Sequence, residues 1–297
     1  MPMPWIGMVV LTALAAGAGR TDPPSPSQVA DPGATAPAED YRLGMELVSA
    51  RPVEARRRLT DALLSGRLSG ADQTAARKAL TELADRTIFG PAVIDDDPYV
   101  FLHTFQPGQT VNQVVRSQAL RVPPEFILKV NRISDASGIR AGQAVKFVHG
   151  PFCAVINKRS FTMDVYLRPE GLPRILVRQA RVGLGRSAYS TPEGMFRLAE
   201  GGKAVKPPWD PPAWSKYTKI IRYGEKGYPF GRPGLWMRLE GDEPATKSLR
   251  GYALHTTSDP SSIGKASSHG CIRVGDRDME FLYDAFAERW STVEIKP

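Results

Sequence analysis

The chain's capacity for nucleophilic chemistry is concentrated in one place. Of its two cysteines and four histidines, Cys271, His255 and His269 fall in two short stretches, Leu254-His255-Thr256-Thr257 and Ser267-Ser268-His269-Gly270-Cys271-Ile272-Arg273-Val274. A cysteine attacks as its thiolate, and a free pKa of about 8.5 means that it needs a base near neutral pH. An imidazole serves as that base, and the resulting ion pair stabilises the thiolate. The imidazole in turn needs an acceptor on its second nitrogen, and acyl transfer needs backbone N–H groups for the developing oxyanion. Gly270 has no side chain and lets a substrate carbonyl approach the backbone beside Cys271. Spacing leaves two bases open. His269 lies two residues before Cys271 and on a strand would share its face, whereas His255 would reach it from a neighbouring strand. Cys153 stands alone and reads as a small buried apolar residue.

The elements that must hold this cluster are mainly strands. Ala154–Ile156 and Phe161–Leu167 form a hairpin about the polar turn Asn157-Lys158-Arg159-Ser160, and Ile175–Gly183 alternates as a further strand. Gly, Pro and Trp then dominate to Gly234, which predicts long loops over a sheet. Asp276–Trp290 carries Met279, Leu282, Phe286 and Trp290 at helical spacing. Upstream, Tyr99–Val148 predicts a compact strand-helix-helix-strand unit, and Tyr41–Phe89 a small helical hairpin resembling one or two tetratricopeptide-like units. Within that hairpin Arg56-Arg57-Arg58 reads as a solvated helix face. Asp95-Asp96-Asp97-Pro98 reads as an exposed boundary.

The amino terminus adds a targeting signal. Trp5–Ala16 is an apolar run followed by Ala16-Gly17-Ala18, as in a cleaved export signal, and it is too short for a comfortable membrane span. No Lys or Arg precedes it, so an uncleaved anchor is the alternative. The Pro-, Ala-, Asp- and Ser-rich stretch after it cannot bury enough apolar surface to fold and reads as a linker. The expected organisation is therefore an export signal or anchor at 1–18, a disordered linker at 19–40, the helical hairpin at 41–97, the small βααβ unit at 98–149 and the strand-rich domain at 150–297. With 39 Lys and Arg against 31 Asp and Glu, the net charge of +8 favours polyanionic partners without choosing among them. No nucleic-acid signature stands out, and no later segment is long and apolar enough to cross a membrane. Two cysteines are too few for a disulfide framework.

Two families are resembled. Pro107-Gly108-Gln109-Thr110, Ile127–Asn131 as a Leu-x-x-x-Asn-like element, and Ala141-Gly142-Gln143 resemble the LysM module, which implies binding to N-acetylglucosamine-containing glycan such as peptidoglycan. Ser268-His269-Gly270-Cys271-Ile272-Arg273 with His255 upstream, together with Ser190-Thr191-Pro192-Glu193-Gly194-Met195-Phe196, is similar to the L,D-transpeptidase catalytic domain of YkuD type. That resemblance implies a multidomain α+β chain ending in a mainly-β catalytic domain. It implies Cys271 as nucleophile, His255 as base oriented by the Thr256 carbonyl, and His269, Gly270 and Ser268 about the oxyanion region. It places Arg273 where a substrate carboxylate or the pocket order needs it. Many members have Gly where this chain has Thr256.

The implied reaction is thioester formation on a tetrapeptide stem, with D-Ala leaving, and then 3→3 cross-linking to an amine of a second stem. Peptidoglycan strands and stem peptides are the implied partners, the cell envelope or periplasm the implied location, and no metal or organic cofactor is needed. Water as acceptor would make the chain an L,D-carboxypeptidase, and an envelope-protein amine would make it an attachment enzyme. An inactive wall-binding protein is the rival from another class. A general cysteine protease is weaker, since the local nucleophile signatures of those families are missing.

Overall fold

The computed structural model describes residues 37–212 and 215–297; the export signal and most of the linker expected before residue 41 lie outside the described residues. Three helices come first: α1 (Pro37–Leu47), α2 (Pro52–Leu64) and α3 (Gly70–Thr87). The hairpin expected at 41–97 is thus a three-helix layer, and its first helix begins inside the segment assigned to the linker. α3 starts at a capped terminus, where the Ser69 hydroxyl accepts from the Asp72 N–H, one of the donors that a helix start leaves unpaired.

Strand β1 (Val100–Thr104), helices α4 (Val111–Ser117) and α5 (Pro124–Val130), and strand β2 (Ala144–Val148) make the small unit, with β1 and β2 antiparallel. Thr110 and Gln113 close a reciprocal capping box at the start of α4.

The remaining strands form one closed sheet. They are β3 (Phe152–Asn157), β4 (Thr162–Leu167), β5 (Ile175–Gly185), β6 (Gly194–Val205), β7 (Leu235–Gly241), β8 (Ala253–His255), β9 (Ala266–Ser268), β10 (Ile272–Val274) and β11 (Thr292–Lys296). Their order is β10-β8-β7-β6-β11-β3-β4-β5, and β10 also pairs with β5, so the sheet closes on itself; β9 lies parallel beside the end of β5. Closure removes the open edges that a sheet would otherwise expose. Helix α6 (Asp276–Ala285) covers one flank with Met279 and Leu282 fully buried. It ends before the Trp290 expected from its periodicity, because Phe286 turns to extended backbone and Arg289 adopts a positive φ of 67°.

The side chains show why the segments are not beads on a string. Ala154, Ile156, Met163 and Val165 face the barrel interior, while Cys153, Tyr166 and Leu176, on the opposite face of the same strands, pack against Leu59, Leu80 and Leu83 of α2 and α3. Cys153 is therefore the buried apolar residue that its isolation implied, and burial pushes its thiol up to about 11. Arg56 is a correction: it is fully buried, with Nη2 donating to both Asp97 carboxylate oxygens at 2.8 Å. Asp97 is buried with it, so neither the arginine run nor the Asp-Pro boundary is wholly solvated. Only Arg57 of the three arginines is exposed, facing Asp61. Lys146, also fully buried, donates to the carbonyls of Thr87, Gly90 and Ala92. Among the described residues no helix is long and apolar enough to cross a membrane.

Candidate active site

The site lies where β8 and β10 run side by side. The two strands are parallel, with Leu254 opposite Ile272 and His255 opposite Arg273, so His255 and Cys271 sit on adjacent chains at one end of the barrel. Cys271 immediately precedes β10 and lines a pocket of about 500 Å³ with His255, His269, Ser268, Arg273 and Trp236. The outer wall comes from the Pro- and Trp-rich loop after β6. That loop carries its own small core of Ile221, Tyr228 and Phe230, and Trp209 and Ile221 pair across it through two backbone hydrogen bonds.

His255 is only 6% exposed. Trp236 stacks on its ring at 5.5 Å with 16° between planes, and Phe230 meets it edge-on at 5.1 Å. Its Nδ1 lies 2.6 Å from the Thr256 carbonyl. A carbonyl can only accept, so Nδ1 carries the proton and Nε2 is the nitrogen left able to take one. Desolvation by this aromatic wall lowers the imidazole to about 4, against the opposing effect of the Thr256 bond.

Thr256 contributes more than a carbonyl. Its hydroxyl accepts from the Leu235 N–H at 3.0 Å and donates to the Phe230 carbonyl, tying the loop to β7 and holding Phe230 against His255. A glycine there would lose both bonds.

Cys271 is half-buried on the pocket wall, and its thiol donates to the Gly251 carbonyl at 3.5 Å. Burial pushes the thiol up, and the Ala253 N–H and the Arg273 charge offset part of that effect. Both partners are thus driven toward their neutral forms. Burial works against the ion pair expected from sequence, because it disfavours charging either group.

His269 is placed differently from the strand position assumed for it. It sits in the bend between β9 and β10, and Gly270, at a φ of 110°, turns the chain between it and Cys271. A Cβ at Gly270 would come 2.8 Å from the Tyr252 ring. His269 Nε2 lies 2.6 Å from Nη2 of Arg186. A guanidinium only donates, so this nitrogen is occupied as an acceptor. Tyr189 lies against the same ring at 4.7 Å. Burial lowers the pKa of His269, helped by the charges of Arg186 and Arg273.

Ser268 braces the bend: its hydroxyl donates to the Cys271 carbonyl at 2.7 Å and accepts from the Gly270 N–H at 3.1 Å. Arg273 reaches Ser267 through Nη1 at 3.3 Å and also borders the pocket. The residues singled out from sequence therefore converge, and the ones missed are those that surround them: Phe230, Trp236, Arg186, Tyr189 and the Gly251 carbonyl. Sequence marked the loop after β6 as Gly-, Pro- and Trp-rich, but not that Phe230 and Trp236 would clamp a histidine.

An imidazole on one strand of a closed barrel and a thiol just before the neighbouring strand, beside aromatic rings, define a site suited to cysteine nucleophile chemistry. Residues 152–295 match the family model of the L,D-transpeptidase catalytic domain (YkuD), and the carboxy-terminal domain of this chain belongs to that family. A protein of Bacillus licheniformis bearing the name L,D-transpeptidase YkuD is 25% identical over 187 residues, 61% of this chain and 90% of that protein. That is more of the chain than lies beyond Phe152, so the likeness reaches back into the βααβ unit. An L,D-transpeptidase from Mycobacterium smegmatis is similar at 17% identity and a TM-score of 0.36, over 52% of this chain and 64% of that one. L,D-transpeptidase 3 from Mycobacterium tuberculosis, solved with a faropenem-derived adduct, is similar at 17% identity and a TM-score of 0.36, over 52% and 65%. This chain spans just under two thirds of either solved chain.

Proposed function

We propose that the chain is an exported L,D-transpeptidase that forms 3→3 peptidoglycan cross-links through a thioester on Cys271. The observation that carries this reading is the fixed tautomer of His255: the Thr256 carbonyl holds Nδ1–H, and Nε2 remains as the acceptor beside the strand that leads from Cys271. On His269, Nε2 is met by the Arg186 guanidinium instead of being left as an acceptor for a thiol. For the reaction the thiol exchanges the Gly251 carbonyl for His255 Nε2 as its acceptor. Proton transfer then accompanies attack on the amide between the L-centre of a diaminopimelate residue and the terminal D-Ala. His255 returns the proton to the departing D-Ala amine, leaving the thioester. The amine of a second stem attacks it, and the thiol is released.

Arg273, on the pocket wall, is suited to a stem carboxylate. The Gly270 N–H is already given to Ser268, so the Cys271 N–H is the backbone donor best placed for the oxyanion. The βααβ unit is read as a LysM module that holds the glycan strand, its groove bordered by Pro107, Gly108, Gln113, Arg116 and Ser117.

The test is mass analysis of purified chain incubated with disaccharide-tetrapeptide. The expected products are an acyl-enzyme at Cys271 and dimers that have lost one D-Ala. Tripeptide without dimers would instead assign the water-dependent carboxypeptidase reaction. Neither acyl-enzyme nor product would support the inactive wall-binding alternative. Faropenem is a second acylating probe, read as a mass increase that Cys271→Ala abolishes.

A further inference from the structure

The loop from Gly185 to Thr191 is fastened to the Cys271 bend at several points, and one of them bears on the acylation step. The Arg186 N–H donates to the Ser268 carbonyl at 3.0 Å. The Thr191 hydroxyl donates to the Gly270 carbonyl at 2.9 Å and accepts from the Gly185 N–H at 2.9 Å. Thr191 is fully buried, so its hydroxyl orientation is set by these two partners and not by water. Gly185 admits this arrangement because a Cβ there would lie 2.0 Å from the Tyr189 carbonyl oxygen and 2.6 Å from the Thr191 nitrogen.

The Gly270 carbonyl and the Cys271 N–H belong to one peptide unit. That unit is planar, and in a trans peptide its C=O and N–H point to opposite sides. Fixing the carbonyl therefore fixes the amide. Gly270 would not do so by itself: at a φ of 110° it occupies backbone that few other residues adopt, and glycine samples such regions freely. The Ser268 hydroxyl holds the N–H of Gly270 and the carbonyl of Cys271, on either side of this peptide, but neither atom of the peptide itself.

We propose that Thr191 is a positioning residue for the acylation step. Its hydroxyl pins the Gly270 carbonyl so that the Cys271 N–H stays aimed at the oxyanion of the tetrahedral intermediate. This rests on Cys271 being an acyl-transfer nucleophile, as proposed above. Thr191 touches neither substrate nor thiol, and it acts only through the peptide that it holds.

The role separates two reactions of the same thiol. Attack on a carbonyl or β-lactam generates an oxyanion, whereas alkylation by iodoacetamide displaces iodide and generates none at the bend. Thr191→Val keeps the shape and removes the hydroxyl. It should lower the rate of acylation by faropenem about tenfold or more, since removing an oxyanion donor outright loses about 10²–10³, while iodoacetamide alkylation stays within about twofold. Thr191→Ser keeps the hydroxyl and should restore acylation. A thermal melt of each variant reports folding separately. Equal losses in both reactions, or Thr191→Ser no better than Thr191→Val, would assign Thr191 to packing alone and overturn the proposal. Unchanged acylation in Thr191→Val would overturn it as well. Failure of wild-type chain to be acylated, with alkylation intact, would instead count against the transpeptidase reading and against any oxyanion role resting on it.

Discussion

His255 and His269 carry the same side chain beside the same thiol, and their surroundings separate them. His255 has its Nδ1 proton held by a carbonyl and its ring clamped by Trp236 and Phe230; His269 has its Nε2 held by Arg186. His255→Gln should therefore lower acylation by about 10²-fold or more, in the range of general base catalysis, and His269→Gln by much less. The pH profile adds a second check. With the imidazole lowered to about 4, His255 is neutral through the whole range above that value, so the acid limb of acylation should fall near pH 4 and not near 6.5. The stability consequence has a definite sign: the unfolded imidazole takes its proton near 6.5, the folded one only near 4, so stability falls as pH drops through that window. His255→Gln should be less sensitive to acid there, as read by urea unfolding at pH 4.5 and 7. Because burial raises the Cys271 thiol, alkylation should rise toward alkaline pH instead of levelling off well below 8.5. An acid plateau in wild type would restore the resting ion pair. Cys271→Ala should abolish turnover, whereas Cys153→Ser should leave the pocket chemistry unchanged, since Cys153 faces the helices.

At the scale of elements, much was legible and the exceptions have physical causes. The strand pattern of Phe161–Leu167 and Ile175–Gly183 found β4 and β5 because alternation survives where one face of a strand meets the barrel interior. The Ser-His-Gly-Cys run and His255 found the site because those types are seldom grouped by packing needs alone. The placement of His269 on a strand with Cys271 failed because β9 ends at Ser268 and Gly270, at positive φ, bends the chain between the two residues, leaving His269 against Arg186. Gly270→Ala should thus be severe. It would force a side chain into strained backbone and toward the Tyr252 ring, lowering both alkylation and acylation, in contrast to Thr191→Val. The loop after β6 was legible only as composition. Its inward turn rests on contacts distant in sequence, such as the Thr256 hydroxyl on the Phe230 carbonyl, for which no local pattern exists.

At the scale of the whole chain, sequence divided what the structure joins. Phe89 after α3, Phe126 of α5, Phe152 of β3 and Phe281 of α6 meet within one aromatic cluster, with Phe89–Phe281 at 5.1 Å and Phe126–Phe152 at 5.2 Å. Removing Tyr99–Val148 would strip this cluster of Phe126, so the glycan-binding reading is better tested by Arg116→Glu on the groove. That change should weaken sedimentation with insoluble peptidoglycan and leave faropenem acylation intact. The deepest joint is Arg56, which a local view assigns to solvent because runs of charge usually lie there. Its partner Asp97 is buried beyond α3, and the Asp97 carboxylate also accepts from the Tyr99 N–H. Arg56→Ala would leave that carboxylate buried and unpaired, which costs about 3–5 kcal/mol. Arg56→Met with Asp97→Asn should recover part of the loss, because the charge is then gone from both sides. The measurement is denaturant unfolding of the full chain, followed both by circular dichroism and by access of iodoacetamide to Cys153 beneath the helices. If helices and barrel share one core, both signals should shift together to lower denaturant in Arg56→Ala. A shift in the helical signal alone, with Cys153 protected as in wild type, would show that the layers unfold independently.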